Sequence, residues 1–484
     1  MIQVKNKIHD KFSLEFKVGF SGEKSDASDD FSINAWIFVP NNLNVNPTTY
    51  GKDQFYRDVK SNIRLITPDF SLSTLANSQN QPLQFLISAS KRLSTTPNLY
   101  SLRNFEFQVK MFSAIFKSAL RDQTNYILDS LDLTAISSSI FDFCTAIQTI
   151  LRHYREIESM LPDNHSCHDY FQFGDEFMSH IVGVQSTKII RKIDLQPNAI
   201  FSECRKLLVQ LVQEELHYKS TRHYSHITQD DNQVNRNLIS RHSLLKKYIE
   251  SVLYLKVDKS PDGSAVQQIT FGFAAGIAMI ISTLIALPFQ KYLGNYPFLI
   301  FIVLVVAYMF KDRFKELIRN RFAHRLKKKY FDMKSLLDFQ GDQIGWIKEG
   351  MDFIRDTQTP PEVLRLRNRS ALEKGNQFLE EKTILYRKFV HIDTAVLRKR
   401  NPYQFSGIND ILRLHIQALT QKMDNPHLRV DSVDSNGSIQ SIDVERIYTL
   451  HIILQCNHDN HTELHGFRIS ATRDGILECR PYRH

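Results

Sequence analysis

Three histidine-containing groups are the parts of this 484-residue chain whose residue types and spacing could do chemistry. The first is HSCHD at 165–169, with His153 and His180 on either side. Imidazole and thiolate groups bind zinc, but a zinc site needs about four ligands with paired spacing. These neighbours fall in a predicted loop, so we expect surface residues here rather than a metal site.

The other two groups differ in how well they could converge on a metal. Glu214 and His217 form a Glu-x-x-His on a predicted helix, half of what a di-iron bundle requires, and the sequence has no second copy. CNHDNHTELH falls in a predicted hairpin, where a strand end and a turn could bring ligands together, although polar residues are expected in such a loop anyway. The metal candidates there are Cys456, His458, His461 and His465.

Signatures of catalysis are missing from the sequence. It contains no G-x-G-x-x-G, G-x-x-x-x-G-K-[ST], H-E-x-x-H or G-x-S-x-G motif. No catalytic residue and no cofactor is therefore predicted. If the protein is an enzyme, its active site does not use any of these motifs.

The positive charge is concentrated in one segment. The net charge is +9, and residues 311–329 hold nine basic residues against Asp312 and Glu316, which gives +7 in that segment alone. The rest of the chain is close to neutral, so a general basic face for DNA or RNA is not expected. The basic residues are Lys311, Arg313, Lys315, Arg319, Arg321, Arg325, Lys327, Lys328 and Lys329.

Two uncharged apolar runs precede this segment. Residues 269–287 read ITFGFAAGIAMIISTLIAL, and residues 297–310 read PFLIFIVLVVAYMF. At about 1.5 Å per residue the first run spans roughly 28 Å, close to the thickness of a bilayer core. The QKYLGNY segment between them is only long enough for a turn. We predict a transmembrane hairpin with spans at about 269–289 and 293–310.

The charges on either side of the hairpin predict its orientation. The turn holds one basic residue, Lys291, whereas nine follow Phe310. By the positive-inside rule both large flanks lie in the cytoplasm, as expected for a bacterial inner-membrane protein. The scattered cysteines, odd in number and without a C-x-x-C pair, fit a reducing compartment, and the first residues lack the apolar core of a signal peptide.

The hairpin is predicted to anchor rather than conduct, because neither span contains an ionisable residue. Gly272, Ala275 and Gly276 form a small-residue pattern that we assign to packing between the two helices, with dimerisation between chains as the alternative. After Phe310, apolar residues recur at helical spacing, which predicts a basic amphipathic stalk over 311–332. This stalk either stands in solvent or binds anionic lipid headgroups.

The remaining chain divides by its hydrophobic periodicity. KFSLEFKVGF alternates as a strand, and RIYTLHIILQC and GFRISAT, followed by Asp474-Gly475, predict a C-terminal meander. The fold class is therefore α+β, a transmembrane hairpin with a mostly helical cytoplasmic body and β-rich ends. The predicted regions are a β-rich segment 1–95, a helical region 96–262, the hairpin 263–310, the stalk 311–332, a helical region 333–425 and a β meander 426–484.

These features predict a cytoplasm-facing membrane protein that acts as an anchored binding, sensing or scaffold module. Its partners would be the bilayer, anionic headgroups and a protein, with homo-oligomerisation left open and nucleic acid not expected. One alternative is a membrane-acting effector, for example in defence, that oligomerises through its hairpin. The other is a membrane-tethered enzyme with an unrecognised site.

Overall fold

The computed structural model describes residues 2–21, 28–163, 165–195, 198, 200–227, 232–292, 297–369, 381–433, 435, 437–459 and 461–482. Helices account for 53% and strands for 30% of the residues, which confirms the α+β class. The chain forms two units. The sheet unit comprises Met1–Asn62, Lys256–Pro402 and Asp410–His484, and the helical unit comprises Ile63–Leu255 and Tyr403–Asn409.

The strands are described first, because they build most of the sheet unit. In chain order they are β1 (Ile2–Asp10), β2 (Ser13–Phe20), β3 (Asp29–Pro40), β4 (Val59–Leu65), β5 (Lys256–Pro261), β6 (Met333–Phe339), β7 (Asp342–Ile354), β8 (Glu381–Ile392), β9 (Ile408–His415), β10 (His427–Val433), β11 (Ile439–Glu445), β12 (Tyr448–His458), β13 (His461–Thr472) and β14 (Gly475–Pro481).

The helices follow the same order. They are α1 (Lys52–Asp58), α2 (Leu72–Ala76), α3 (Gln81–Thr95), α4 (Leu99–Asp129), α5 (Leu133–Glu156), α6 (His165–Leu195), α7 (Phe201–Thr221), α8 (Asn232–Glu250), α9 (Ser264–Tyr292), α10 (Pro297–Lys329), α11 (Pro361–Arg367), α12 (Thr394–Arg400) and α13 (Gln417–Thr420).

An eight-stranded antiparallel sheet organises the sheet unit. Its strand order is β14-β13-β12-β3-β8-β7-β6-β5. The N-terminal β3 pairs with β12 from the C-terminal meander, with Ile452 opposite Ile37 and Leu454 opposite Ala35. The two β-rich ends of the sequence therefore belong to one sheet, and β5 lies at its edge.

A four-stranded sheet packs on this larger sheet. Its order is β1-β2-β9-β4. In β2 the predicted alternation is present, since Phe16 and Phe20 are buried while the intervening residues are partly exposed. Phe16 contacts Phe467 of β13 at 5.0 Å between ring centroids, and Phe20 stacks on Phe31 of β3 at 4.2 Å. These aromatic contacts fill the space between the two sheets.

A separate two-stranded ribbon, β10 and β11, is exposed along its whole length. Its register places Leu428 opposite Val444 and Val430 opposite Ile442, so one face of the ribbon is apolar. All four side chains are more than 40% exposed. An isolated two-stranded ribbon is marginally stable in water, so this apolar face is a surface that lacks cover among the described residues.

The helical unit has its own hydrophobic core, built mainly by α4 to α8. Helix α4 begins with a capping box in which the side chain of Asn98 accepts from the Ser101 backbone and the Ser101 hydroxyl accepts from the Asn98 backbone. The ring of Tyr154 lies between Phe112 and Phe171, at centroid distances of 5.9 and 4.9 Å. Each of these buried rings stabilises the core by roughly 2 kcal/mol.

The helical prediction for 333–425 is wrong, because the described part of this region contains β6, β7, β8 and β9. In β9 the buried positions alternate at Ile408, Asp410, Leu412 and Leu414. Apolar residues at 408, 411 and 412 also fit helical spacing, and the charged residue at a buried position hides the period of two.

Two smaller predictions also need correction. The β-rich segment 1–95 contains the helices α1, α2 and α3 after its strands. The HSCHD group at 165–169 forms the beginning of α6 rather than a loop.

Candidate functional site

The hairpin of α9 and α10 replaces the loop between two paired strands of the sheet. Strands β5 and β6 pair antiparallel, with Pro261 opposite Met333. The chain passes from β5 into α9 and returns from α10 into β6. Gly263, at φ +69°, forms the turn into α9, and a Cβ atom there would lie 2.9 Å from the Tyr330 ring. Glycine is therefore required at this junction by both conformation and space.

Asp332 fixes the other side of the junction. Its carboxylate accepts hydrogen bonds from the Lys52 ammonium at 2.5 Å, the Tyr56 hydroxyl at 3.0 Å and the Met351 backbone N–H at 2.8 Å. Burial, and then the Asp332 charge, raises the pKa of Tyr56 above its ordinary value, so this hydroxyl stays protonated and donates. The end of α10 is thereby held to α1 and β7.

Close packing of the two helices uses small side chains. Ala274 and Ala278 of α9 are fully buried, and Ala307 of α10 is 3% exposed. The Ser282 hydroxyl donates to the Ala307 carbonyl at 3.2 Å, and the Arg319 guanidinium lies 4.2 Å from the centre of the Phe271 ring. These two contacts set an antiparallel register in which Phe310 is level with Met279.

The assignment of Gly272 and Gly276 to packing within the hairpin is wrong. A Cβ atom added at either glycine meets no atom within 4 Å, so both face away from α10. Ala275 is partly buried, and the close contact is made two positions after each glycine, by Ala274 and Ala278. The two stripes lie about 200° apart on the helix, because residues advance about 100° each.

The outer surface of the hairpin is apolar. Ile269, Phe273 and Leu284 of α9 are 60%, 68% and 64% exposed, and Phe298 and Phe301 of α10 are 74% and 63% exposed. A contiguous apolar surface of this kind marks a region that is covered by lipid or by another protein.

Two helices in the described residues are long and apolar enough to cross a membrane by length and composition alone. One, Leu133–Met160, is a core helix of the helical unit, where Ile140, Phe143 and Ile147 are fully or almost fully buried. The other, Ser264–Leu284, belongs to the hairpin, and only 11% of its most apolar window is buried. The beginning of the second predicted span, 293–296, lies outside the described residues.

The basic residues that begin at Lys311 lie on the continuation of α10. Among the described side chains, Lys311, Arg313, Lys315, Arg319 and Arg321 have no carboxylate partner within 4 Å. The Lys311 ammonium lies 4.1 Å from the centre of the Tyr308 ring, which is a cation–π contact. Arg325, Lys327, Lys328 and Lys329 are within α10, but their side chains lie outside the described part.

The metal candidates in the β12–β13 hairpin are not brought together around one point. The two ring nitrogens of His458 face carboxylates, Nε2 at 2.7 Å from Asp29 and Nδ1 at 3.6 Å from Asp459. His465 bonds to Glu463 at 3.1 Å, and His461 is exposed. The close group of potential ligands found in the described residues is Asp29, His458 and Asp459. Sequence reasoning missed Asp29, which is over 400 residues from His458 in the chain.

Cys456 is not part of that group of potential ligands. It is fully buried, and this burial raises the pKa of the thiol well above its ordinary value. A thiolate is the form that binds metal, so this environment opposes coordination. All five cysteines are free thiols.

The other histidine groups also stay apart. Cys167 is buried with its sulfur near the Pro162 carbonyl, at 3.4 Å. His180 stacks on His242 with 3.4 Å between ring centroids, and burial, together with the neighbouring histidine, lowers its pKa to about 3. Glu214 accepts hydrogen bonds from Gln148 and Gln210 rather than sharing a ligand set with His217.

No protein-family model, curated protein or solved structure matches this chain. The features of the described residues that point to a role are the apolar surface of the hairpin, its basic end and its junction with the sheet.

Proposed function

We propose that this protein is a membrane-anchored binding, sensing or scaffold module on the cytoplasmic face of a bacterial inner membrane. The observation that carries the proposal is the exposed apolar hairpin of α9 and α10 inserted between β5 and β6. The sheet unit and the helical unit have buried cores of their own, so the hairpin is an addition to them rather than part of a core.

The length and composition of the hairpin support insertion into a bilayer. The uncharged run 269–287 is roughly 28 Å long as a helix; its residues from Met279 onward lie level with the uncharged run 297–310, and residues 269–278 lie level with the basic segment of α10. A helix pairs its interior backbone N–H and C=O groups within itself, which a bilayer core requires, and Pro288, which has no N–H, comes after the uncharged run. The hydrogen bond from Ser282 to Ala307 is of the kind that links transmembrane helices.

An anchoring role, rather than conduction, is supported by the absence of ionisable residues from both apolar runs. The described contact between the two runs consists of Ala274, Ala278 and Ala307 together with the polar side chain of Ser282. The excess of basic residues after Phe310 supports a cytoplasmic position for both flanks.

The binding or scaffold part of the proposal is supported by the ribbon of β10 and β11. Its exposed apolar face, formed by Leu428, Val430, Ile442 and Val444, resembles the surfaces that proteins offer to partners. The sensing part is supported by the junction, because strands of the sheet continue directly into the hairpin helices.

Cysteine labelling in intact cells tests the anchor and its orientation. A cysteine placed at Asn295, in the predicted turn, is expected to react with a membrane-impermeant maleimide from outside. A cysteine at Leu131, which is 95% exposed in the helical unit, is expected to react only after lysis. Labelling of Leu131→Cys in intact cells would overturn the orientation, and release of the protein from membranes by alkaline carbonate would overturn the anchor.

A membrane-acting effector is the second candidate, and the outward-facing glycines favour it. Gly272 and Gly276 leave a smooth strip on the side of α9 opposite α10, against which a helix of another chain could pack closely. Oligomerised hairpins would disturb the bilayer. Leakage of dye from liposomes that contain the purified protein, abolished by G272I/G276I at equal incorporation, would make this candidate the leading one.

A further inference from the structure

One flank of the hairpin combines cationic and apolar side chains. Lys311, Lys315 and Arg319 are spaced four residues apart, so they follow one line along α10. The Arg319 guanidinium lies over the Phe271 ring, which places this line beside the flank of α9 that carries Phe271 and Ala275. We call these five residues the headgroup flank.

The helix register places this flank at a particular depth. Phe310, the last residue before the basic segment, is level with Met279, so residues 269–278 of α9 run beside the basic residues of α10. An apolar helix surface and a row of cations therefore occupy the same level. That pairing of surfaces matches the zone of a bilayer where acyl chains meet phosphate groups.

The cations of this flank have no carboxylate partner within 4 Å among the described side chains. Asp312 and Glu316 are exposed and lie three residues before Lys315 and Arg319, about 60° around the helix, and they form no ion pair with these cations among the described side chains. The Lys311 ammonium instead contacts the ring of Tyr308. Among the described side chains, these three cations in a row thus have no negative partner.

We propose that the headgroup flank binds the phosphate of an anionic phospholipid, with the acyl chains of that lipid against the apolar side chains that continue the basic line along α10. This proposal rests on the membrane anchor proposed above. The charge of the lipid complements the basic line, and its chains complement Leu304 and Tyr308, which continue this line along α10 and are 49% and 59% exposed. A guanidinium held over a ring is also positioned to donate to phosphate oxygens.

The test uses the full-length chain in nanodiscs of phosphatidylcholine with spin-labelled phosphatidylglycerol or spin-labelled phosphatidylcholine. The ratio of the two association constants measures selectivity for the anionic lipid. The variant K311Q/K315Q/R319Q removes the flank. The control R313Q/R321Q/K328Q removes the same amount of charge from α10 at positions outside the line of Lys311, Lys315 and Arg319.

The wild type is expected to prefer the anionic lipid, and each basic residue near a headgroup contributes up to about fivefold. The flank variant should lose at least about fivefold in selectivity, while the control keeps most of it. Equal losses in both variants would show diffuse attraction without a site, and no loss in either would also overturn the proposal. Extraction of the wild type by alkaline carbonate would instead mean that the anchor itself is wrong.

Discussion

Replacing the small residues on the two sides of α9 separates their roles. Isoleucine at Ala274 and Ala278 adds three carbon atoms at each of two positions that are fully buried against α10. Overpacking of this kind costs about 1–3 kcal/mol per site, so A274I/A278I should destabilise the helix contact by roughly 2–6 kcal/mol. That range is enough to part the helices, because the contact consists of small side chains and one hydrogen bond from Ser282.

The matched variant G272I/G276I should leave the hairpin intact. A Cβ atom at either glycine meets no atom within 4 Å, so no clash with α10 arises. Isoleucine also forms helix more readily than glycine, by about 0.5 kcal/mol per residue. Gly→Ile adds four carbon atoms and Ala→Ile adds three, so the larger addition is expected to be tolerated on one side of α9 and the smaller one to be disruptive on the other.

Dipolar broadening between two spin labels measures this contact. Labels at Gln268 and Asn320 lie at nearly the same level of the antiparallel pair, given the contact between Phe271 and Arg319. In bilayers we expect strong broadening for the wild type and for G272I/G276I, and loss of broadening for A274I/A278I. If the glycine variant loses the broadening and the alanine variant keeps it, the helix register argued above is wrong.

Three further predictions test the junction and the two cores. In thermal unfolding, G263A should destabilise the protein by roughly 1–3 kcal/mol, since φ is +69° and the new Cβ would lie 2.9 Å from Tyr330. Adding Y330A to G263A should recover only the part of this loss that comes from the clash with the ring. D410N should lower the free energy of unfolding in denaturant by about 3–5 kcal/mol, because Lys388 and Asp410 form a buried ion pair, 1% and 0% exposed. The double variant K388M/D410L should lower it by less than the single change, and equal losses would contradict this explanation. The pKa of His180 is lowered to about 3, so its neutral form contributes stability above pH 6.5, and that stability is lost as pH falls from 6.5 toward 3. H180F should flatten this pH dependence of the melting temperature across the same range. An unchanged slope in H180F would contradict the prediction.

Local patterns in the sequence were sufficient for some elements. The alternation in β2 is read directly, because Leu14, Phe16, Val18 and Phe20 bury one face and polar residues occupy the other. The strands of the C-terminal meander are visible for the same reason. The apolar runs of the hairpin are visible because their length and lack of charge are themselves local properties.

Other elements depend on partners that are distant in the chain. Asp410 occupies a buried position of β9, which local periodicity cannot explain, because its partner is Lys388 on β8 with the Ser61 hydroxyl of β4 nearby. A buried charge is tolerated only when it is paired, and the pair becomes evident only when the sheets are assembled. The apparent helical spacing at 408, 411 and 412 was therefore misleading.

The small residues of α9 illustrate a second kind of ambiguity. Gly272 and Gly276 form one stripe with four-residue spacing, and Ala274, Ala278 and Ser282 form another on the opposite side. Either stripe permits close approach of a helix. The choice is decided by Ala307 and Arg319 on α10, so the sequence of α9 alone could not determine which side packs.

The position of the hairpin at the edge of the sheet follows from geometry. Neighbouring strands lie about 5 Å apart, whereas packed helices lie about 8–10 Å apart, so the chain must diverge between β5 and β6 and the two helices. The turn at Gly263 and the anchored Asp332 take up this difference, and Asp262 accepts a hydrogen bond from the Phe331 backbone between them. Because β5 is paired on one side only, a change in its pairing with β6 would not have to disturb the rest of the sheet. A ligand or partner that shifted β5 would therefore act on α9 directly, which is the physical basis for including sensing in the proposed function.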